Sequence, residues 1–342
     1  MIARVRYTNI GFLTSGCGLL VVLLAVTSGY GSPNPKDPLA VTSEPLKLVV
    51  QGYSSEASDE KSTTGLVMEV THWLQYSPRT VVRSPRRKLA EKGDSSTSPV
   101  ALRDVDYIVW IELRQESDGF AVLWNLETVS DRSSLPSRDR PPVRGTLPEL
   151  PREIAKVVLD ELGIENRGAS SIESLAAADP AAYEEFLKLL AAPNGSSETT
   201  LRQRVETLEE LQSRLGSYTP AVTALGTAYL DLAGLVGGLG PYYEKATHAL
   251  AYAFDLDSGY PPARAKLASL FAKLGRSEEA IELLVNGLAT HPNYPAFHET
   301  LGYVLRYSGL MEESMASYRR GQKLDSSLTN MVSTQDQITK SL

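Results

Sequence analysis

The chain has almost no cysteine and no excess of positive charge. Its 342 residues include one cysteine, Cys17, so no disulfide can form within the chain and no cysteine-based zinc site is possible. Lysine and arginine number 34 against 41 aspartates and glutamates, and the net charge of −7 disfavours nucleic acid as the main partner, because phosphate binding needs a basic face. With 42% apolar and 22% charged residues, the composition is that of a folded protein with room for two or three domains.

Motifs that carry enzymatic chemistry are also missing. His298 and Glu299 begin like the helix of a zinc protease, but Gly302 stands where that motif has its second histidine. The glycine run at 237–240 lacks the Lys-Ser or Lys-Thr pair of a phosphate-binding loop, which favours a flexible insert between helices. No serine lies in a Gly-x-Ser-x-Gly elbow. We therefore predict no catalytic residue, no cofactor and no metal site, and we interpret the histidines as capping or surface residues.

What the sequence does contain is a 34-residue period in its last third. Ala246, Ala280 and Ser314 are 34 positions apart, and so are Gly275 and Gly309. A fixed period of this length is typical of stacked helical hairpins, in which each unit cannot bury its apolar face without a neighbour. Such arrays present a long concave surface, so the period predicts a binding protein.

These units resemble the tetratricopeptide repeat, whose pattern is a Leu-Gly pair, an aromatic residue, small residues and a closing proline. The matching residues of three clear units are Leu225, Gly226, Tyr229, Ala246, Leu250 and Ala253; Leu267, Ala268, Phe271, Ala280, Leu284, Gly287 and Pro292; and Leu301, Gly302, Leu305, Ser314, Tyr318 and Gly321. Ser326 stands where proline is usual, and residues 237–241 split the first unit by an insertion of about eight residues. We expect the small residues where two helices cross closely.

An earlier, weaker hairpin precedes the three clear units. It is predicted from apolar residues that recur at helical spacing, namely Tyr183, Phe186, Leu187 and Leu190, then Leu201, Val205, Leu208, Leu211 and Leu215. The predicted helical array therefore covers residues 166–330, with its clearest part at 219–326, and residues 331–342 form a tail or a capping helix.

The N-terminus holds a long apolar run. Residues 10–30 follow Arg4 and Arg6 and are long enough to cross the hydrocarbon core of a membrane as a helix. Cationic residues before the run and none directly after it place the N-terminus in the cytoplasm and the rest of the chain outside it. Two alternatives remain: a signal peptide cleaved near residues 27–29, and a lipoprotein anchored at Cys17, which the apolar run beyond the cysteine disfavours. We thus predict a signal anchor at 1–30 and a proline-rich linker at 31–43.

Residues 44–165 alternate between strand and helix patterns. Strand patterns at 46–50 and 80–82 flank an apolar helical face that follows Gly65 and ends before Pro78. Strand patterns at 105–113 and 120–129 flank a hairpin turn signal, and a helix runs from 151 to 163. With a short helix before the hairpin, the order β-α-β-α-β-β-α predicts a small mixed sheet with helices packed against it.

This arrangement is similar to the α/β domain that precedes tetratricopeptide repeats in bacterial membrane-bound regulators, the winged-helix and adenylate-cyclase-associated kind. The amino-terminal domain of the periplasmic protein TolB is related in shape. The resemblance rests on Gly65-Leu66, on residues 105–109 and on the helix at 151–163, whereas Gln51-Gly52 stands where that family usually has proline and phenylalanine. Only about nine residues precede the apolar run, so we expect no cytoplasmic output domain and no transcription or cyclase role.

The expected binding residues follow from the resemblance to the repeats. In that family the first helix of each unit lines the inner surface, a register that turns Lys273, Tyr303, Arg306 and Tyr307 toward a ligand. Tyrosine and arginine are common in binding hot spots, because they bury much area with few rotatable bonds.

Two basic loops are the other candidates for contacts. Their residues are Arg83, Arg86, Arg87 and Lys88, and Arg132, Arg138, Arg140 and Arg144. They suit anionic lipid headgroups or an acidic partner, but we favour the interpretation as solvated loops.

The predicted fold is thus multi-domain: a transmembrane helix, a small mixed α/β domain and an all-α tetratricopeptide solenoid. We expect a non-catalytic scaffold or adaptor, anchored in the cytoplasmic membrane through residues 10–30, that binds protein partners outside the cytoplasm and no nucleic acid. Cleavage of the signal peptide would make the same protein secreted or periplasmic. The alternative function is a sensor of a small ligand or of the envelope state, with a cavity between the two domains.

Overall fold

The computed structural model describes residues 44–54, 60–83, 90–91, 105–129, 140–164, 179–193, 195–237 and 240–325. Their elements are β1 (Leu46–Ser54), α1 (Glu60–Leu74), β2 (Thr80–Arg83), β3 (Ala90–Glu91), β4 (Tyr107–Glu116), β5 (Gly119–Thr128), β6 (Val143–Gly145), α2 (Leu150–Glu161), α3 (Pro180–Ala191), α4 (Glu198–Leu215), α5 (Thr219–Val236), α6 (Pro241–Leu256), α7 (Pro261–Lys273), α8 (Ser277–Thr290), α9 (Pro295–Tyr307) and α10 (Met311–Leu324). A small mixed sheet is thus followed by a helical array, as the sequence predicts.

Several predicted features lie outside the described residues. They are the membrane segment at 10–30, the linker at 31–43, the boundary between 165 and 166, and the C-terminal segment 331–342. Within the part of the chain that the structure describes, no helix has the length and apolarity needed to span a bilayer.

The sheet has the strand order β2-β1-β4-β5-β6, and β3 pairs with the far end of β1. Strand β1 is parallel to β2 and β4, whereas β4, β5 and β6 are antiparallel. Val109 and Ile111 of β4 belong to the main core, and Ile108 is buried in a second cluster. The prediction of a central strand covered on both sides is confirmed, as is the hairpin turn, where Glu116 pairs with Gly119.

Two details of the α/β part differ from the sequence prediction. The short helix expected before the hairpin falls between residues 84 and 104, where the structure describes only Ala90–Glu91, which form strand β3, so it stays a prediction. Strand β6 spans three residues, too few to produce an alternating pattern. Helix α1 begins at Glu60 and not after Gly65. Ser62, Thr63 and Thr64 near its start are polar but buried, and the Thr64 hydroxyl donates to the Glu60 carbonyl at 2.8 Å.

Gly65 explains how the first repeat packs against the α/β domain. It lies inside α1 where α3 crosses, and a Cβ at this position would overlap the carbonyl oxygen of Leu187. Glycine in a helix interior costs about 0.5–1 kcal/mol relative to alanine, but here it permits the close approach of two backbones. One hydrophobic core therefore runs without interruption from Leu48 in β1 to Leu270 in α7.

The helical array repeats its geometry at the predicted positions. A Cβ at Gly226 would lie 2.7 Å from Leu250, and one at Gly302 would lie 2.9 Å from the ring of Tyr318, so the small residues mark close helix crossings, as predicted. The turns of the last two units are alike. Gly275 and Gly309 have φ of +75° and +79°, a left-handed conformation that closes the helix C-terminus.

The insertion in the first clear unit is partly helical. The sequence predicts a flexible insert around residues 237–240, yet α5 continues to Val236 and has 18 residues, against 13 in α7 and in α9. Residues 238–239 lie outside the described part. The first helix of this unit therefore extends beyond its neighbours by more than one turn.

Candidate functional site

The loops that lead from one repeat to the next lie against the α/β domain. Tyr218, before α5, donates its hydroxyl proton to Glu69 of α1. The Tyr76 hydroxyl donates to Asp257, before α7, at 2.7 Å, and the Asn293 side-chain amide, before α9, donates to the carbonyl of Pro78 at 2.8 Å. Three successive loops of the array thus contact successive points along α1 and the turn that follows it.

The end of α10 continues the same line of contacts. The Nζ of Lys47 donates to the carbonyl of Lys323 at 3.2 Å, and the Nε of Arg83 lies 3.9 Å from Asp325. The ammonium group of Lys323 lies 3.8 Å from Glu44, so the described chain begins beside the end of the array. We call this series of loops, from Tyr218 to Asp325, the domain-facing edge.

A buried carboxylate of α1 lies beside the first loop of this edge. Glu69 is fully buried, and its Oε2 accepts hydrogen bonds from the hydroxyls of Tyr183, at 3.4 Å, and Tyr218. The Nδ1 of His72 lies 3.5 Å from the other carboxylate oxygen. Burial, with a further contribution from the Glu69 charge, raises the pKa of both tyrosines well above the ordinary value, so both hydroxyls remain protonated donors.

The surroundings of Glu69 leave no room for a substrate. Trp73, Tyr76 and Tyr260 form a stack beside it, with ring centroids 5.5 and 5.7 Å apart. The cavity that these side chains line with Glu69 has a volume of about 10 Å³, room for about one water molecule. This cluster of ionisable groups therefore holds the two parts of the chain together and does not form an open cleft.

The C-terminal ends of the first helices lie at the opposite edge of the array. Every contact of the domain-facing edge is made by the loops before α5, α7 and α9 or by the end of α10, so the ends of α5, α7 and α9 point away from these contacts. We call the surface at these three ends the open rim. Its residues are Leu235, Val236, Lys273, Tyr303, Arg306 and Tyr307.

The four residues expected to contact a ligand all lie on the open rim. Tyr303 and Tyr307 form an aromatic pair with ring centroids 4.8 Å apart, and the guanidinium group of Arg306 lies 5.8 Å from the ring of Tyr307. The side chain of Tyr307 is 69% exposed, whereas Tyr303 is half-buried against Tyr318. Lys273 is exposed at the end of α7, 34 positions before Tyr307. The structure brings three of the four together and places Lys273 one repeat away.

Two further rim residues have no counterpart in the sequence prediction. Leu235 and Val236 end the long helix α5 with exposed fractions of 49% and 47%. In the described part of the chain, the exposed large hydrophobic residues are these two, Tyr252 and Tyr307, and three of the four belong to the open rim. The sequence feature that could have indicated these two residues is the uncharged stretch at 232–243 around the insertion.

His298, Arg83 and Arg140 contribute little to an open site, and the other basic-loop residues Arg86, Arg87, Lys88, Arg132 and Arg138 lie outside the described part of the chain. The Nε2 of His298 bonds the carbonyl of Pro292 at 2.9 Å, a capping contact, and burial lowers the pKa of His298 to about 4. Arg140 stacks on Trp124 at 4.6 Å. Arg83 is buried, which corrects its interpretation as part of a solvated loop. Nowhere in the described ranges do three potential metal ligands of the His, Cys, Asp or Glu type come together.

Comparison with known proteins bears on the array. The tetratricopeptide repeat family model matches residues 243–302. No curated protein matches the chain. The solved structure of TTC0263, a thermophilic tetratricopeptide protein of Thermus thermophilus, is 18% identical and covers 56% of this chain and 92% of its own, with a TM-score of 0.39.

Two other solved structures are similar at the same level. YrrB, described as a tetratricopeptide protein with an unusual peptide-binding site, is 14% identical over 55% of this chain and 91% of its own, with a TM-score of 0.36. MamA of Desulfovibrio magneticus RS-1 is 14% identical over 41% of this chain and 74% of its own, with a TM-score of 0.33. The family match and the 34-residue spacing of the helices together identify residues 243–302 as part of a tetratricopeptide repeat array.

Proposed function

We propose that this protein is a non-catalytic adaptor, anchored in the cytoplasmic membrane, that binds another protein outside the cytoplasm through the open rim of its repeat array. One observation carries the proposal. The α/β domain covers the domain-facing edge, whereas the open rim presents exposed apolar and cationic side chains on successive first helices. Tetratricopeptide arrays bind through extended surfaces of this kind.

The membrane part of the proposal rests on sequence. Residues 10–30 have the length and apolarity of a membrane helix, and the charges around them favour an N-terminus in the cytoplasm. Residues 31–43, rich in proline, would let the folded part search near the membrane while the anchor keeps it concentrated there. Carbonate extraction tests the anchor, because release into the soluble fraction would indicate cleavage.

We also infer that the α/β part is related to the domain that precedes such repeats in membrane-bound regulators. The observed order of strand, helix and strand, then hairpin and helix, supports this relation. The continuous core between Leu48 and Leu270 supports it further, since it joins this domain to the repeats as one unit. The role we assign to the domain is to hold the array at a fixed orientation.

The sensor alternative finds less support in the geometry. A pocket for a small molecule usually has a volume of about 300–1,000 Å³, whereas the cavity between α1 and the repeats measures about 10 Å³. A ligand at this place would therefore have to separate the two parts of the chain. An increase in melting temperature with a small metabolite would favour the sensor function over the adaptor function.

Affinity capture from detergent extract tests the adaptor function. The full-length protein should retain a defined partner, and the double variant Arg306→Ala/Tyr307→Ala should lose it without a fall in melting temperature. Both side chains lie at the rim, so their removal creates no cavity. The matched control is Tyr252→Ala, an exposed tyrosine on the second helix α6. Equal capture by both variants would exclude the rim as the binding surface.

A further inference from the structure

The second helices of the last three units end at a constant interval. Helices α6, α8 and α10 end 34 residues apart, and α7 and α9 begin five residues after α6 and α8 end. Thr329 holds the corresponding position after α10, in the segment 326–342, which lies outside the described residues. Each unit of such an array repeats the positions of the unit before it. The period therefore predicts a further first helix that begins near Thr329.

The segment after α10 has the sequence pattern of an amphipathic helix. Around a helix of about 3.6 residues per turn, its apolar side chains lie within about 120° of one another, and they are Leu328, Met331, Val332, Ile338 and Leu342. The opposite side of that helix holds Ser333, Asp336, Gln337 and Lys340. The segment contains neither proline nor glycine, so neither helix breaker interrupts this pattern. A helix of this kind is stable when its apolar side is buried against another surface.

The contact between α8 and α9 indicates where a further first helix would pack. A Cβ at Gly287 of α8 would lie 2.8 Å from the ring of Phe297 of α9, so the glycine allows the ring to approach α8 closely. The residues 34 positions later are Gly321, which is buried on α10, and Met331. We therefore expect Met331 to pack on Gly321 as Phe297 packs on Gly287.

Other positions of α10 and of the segment correspond in the same way to a pair of packed helices. Val304 of α9 shares a core cluster with three residues of α8, namely Ile281, Leu284 and Leu288. Ile338 lies 34 positions after Val304, and the residues 34 positions after the other three are Met315, Tyr318 and Gln322 of α10. Tyr318 is buried, and Met315 is partly buried beside it. We call the surface of Met315, Tyr318, Gly321 and Gln322 the end face.

The end face has no partner helix in the described part of the chain. Helix α6 packs against α7, and α8 packs against α9, whereas α10 is the last described helix. We propose that residues 328–342 form a helix whose apolar side covers the end face of the same chain. Four residues between α10 and Thr329 are enough for this return, because loops of the same length connect α6 to α7 and α8 to α9. The polar side of the segment then faces solvent, which prevents a second copy of the chain from stacking there.

Photo-crosslinking of the full-length protein in detergent tests this proposal. A benzophenone side chain in place of Met331 should attach to α10 close to Gly321, and the product should keep the mass of one chain on a denaturing gel. Mass spectrometry of the digested product locates the attachment. The matched control carries the benzophenone in place of Ser333, on the polar side of the segment, and should not attach to α10. A product with the mass of two chains would mean that a second copy covers the end face, and it would overturn the proposal, as would the absence of a cross-link between Met331 and α10.

A charge introduced on each side of the segment provides an independent measurement. Ile338→Asp places a carboxylate against the end face and should lower the melting temperature by about 5 °C or more. Ser333→Asp places the same charge toward solvent and should change the melting temperature by less than about 2 °C. Equal melting temperatures for the two variants would overturn the proposal, because they would show that the apolar side of the segment is not buried.

Discussion

The hydroxyl of Tyr76 donates a 2.7 Å hydrogen bond to the carboxylate of Asp257, which joins the turn after α1 to the loop between α6 and α7. Asp257 follows the end of α6 at the position that His291 has after α8 and Asp325 has after α10, each 34 residues further on. Burial raises the pKa of Tyr76 well above its ordinary value, and Asp257 contributes to that rise, so the hydroxyl remains a donor at neutral pH. The period of the repeats is thus also the period of their contacts with the α/β domain.

Removal of this hydrogen bond should destabilise the whole protein modestly. Tyr76→Phe keeps the ring between Trp73 and Tyr260 but leaves the Asp257 carboxylate without its phenol donor. We expect a loss of about 1–2 kcal/mol in the free energy of unfolding, measured with urea. The control, Tyr252→Phe, removes an exposed contact with Ser217 and should cost less than about 0.5 kcal/mol. Equal losses in the two variants would contradict the structural role of Tyr76.

Replacement of the buried carboxylate should cost more, and the loss should be recoverable. Glu69→Leu removes the acceptor that the hydroxyls of Tyr183 and Tyr218 share. The two hydroxyls can then bond only each other, so one donor stays buried without an acceptor and we expect a loss of about 2–4 kcal/mol. The triple variant Glu69→Leu/Tyr183→Phe/Tyr218→Phe removes that unsatisfied donor and should be more stable than Glu69→Leu alone. Chemical denaturation compares the free energies of unfolding of the two variants. A triple variant less stable than Glu69→Leu would contradict the prediction.

Replacement by alanine should change the stability in opposite directions at two glycines inside helices. A Cβ at Gly65 would overlap the backbone of Leu187, so Gly65→Ala must push α3 away from α1 and should cost about 3 kcal/mol or more. Gly234 of α5 has nothing within 4 Å of an added Cβ, and Gly234→Ala should stabilise the protein by about 0.5–1 kcal/mol. Thermal unfolding distinguishes the two, and a stabilising Gly65→Ala would show that the helices are further apart than the structure has them.

The free energy of unfolding should decrease as the pH is lowered, because His298 titrates. Burial lowers its pKa in the folded protein from the ordinary 6.5 to about 4. The unfolded chain therefore takes up this proton first, so the contribution to stability is complete above pH 6.5 and is lost as the pH falls from 6.5 to 4. The loss amounts to about 3 kcal/mol.

The variant His298→Gln isolates this effect, since it keeps a side-chain donor near the Pro292 carbonyl but cannot titrate. The difference in unfolding free energy between wild type and variant should shift by about 2–3 kcal/mol against the wild type between pH 7.5 and 4.5. A difference that stays constant over that range would mean that His298 is exposed.

The periodic features of the fold could be predicted from sequence, because they follow from local rules. The small residues at Gly226 and Gly302, the turn glycines and the Asp118-Gly119 hairpin each require one residue type at one place, and the structure has them there. The start of α1 could not be predicted in this way, because its buried residues Ser62, Thr63 and Thr64 are polar. Their burial depends on elements distant in the sequence.

The contacts between the α/β domain and the helical array could not be predicted for the same reason. Nothing local to Glu69 indicates that it will accept hydrogen bonds from Tyr183 and Tyr218, which follow it by 114 and 149 residues. Four residues of the rim could be placed on the first helices from the repeat register, namely Lys273, Tyr303, Arg306 and Tyr307. Leu235 and Val236 could not be inferred from that register, because they belong to an insertion that the other units lack.

The most direct test of the account is site-specific photo-crosslinking in intact cells. A benzophenone side chain placed at Tyr307 or Val236 of the full-length protein should attach one defined partner protein, while the same group at Tyr252 on the second helix α6 should attach none. That result would establish the open rim as the binding surface. A partner attached from Tyr252, with none from Tyr307 or Val236, would contradict it.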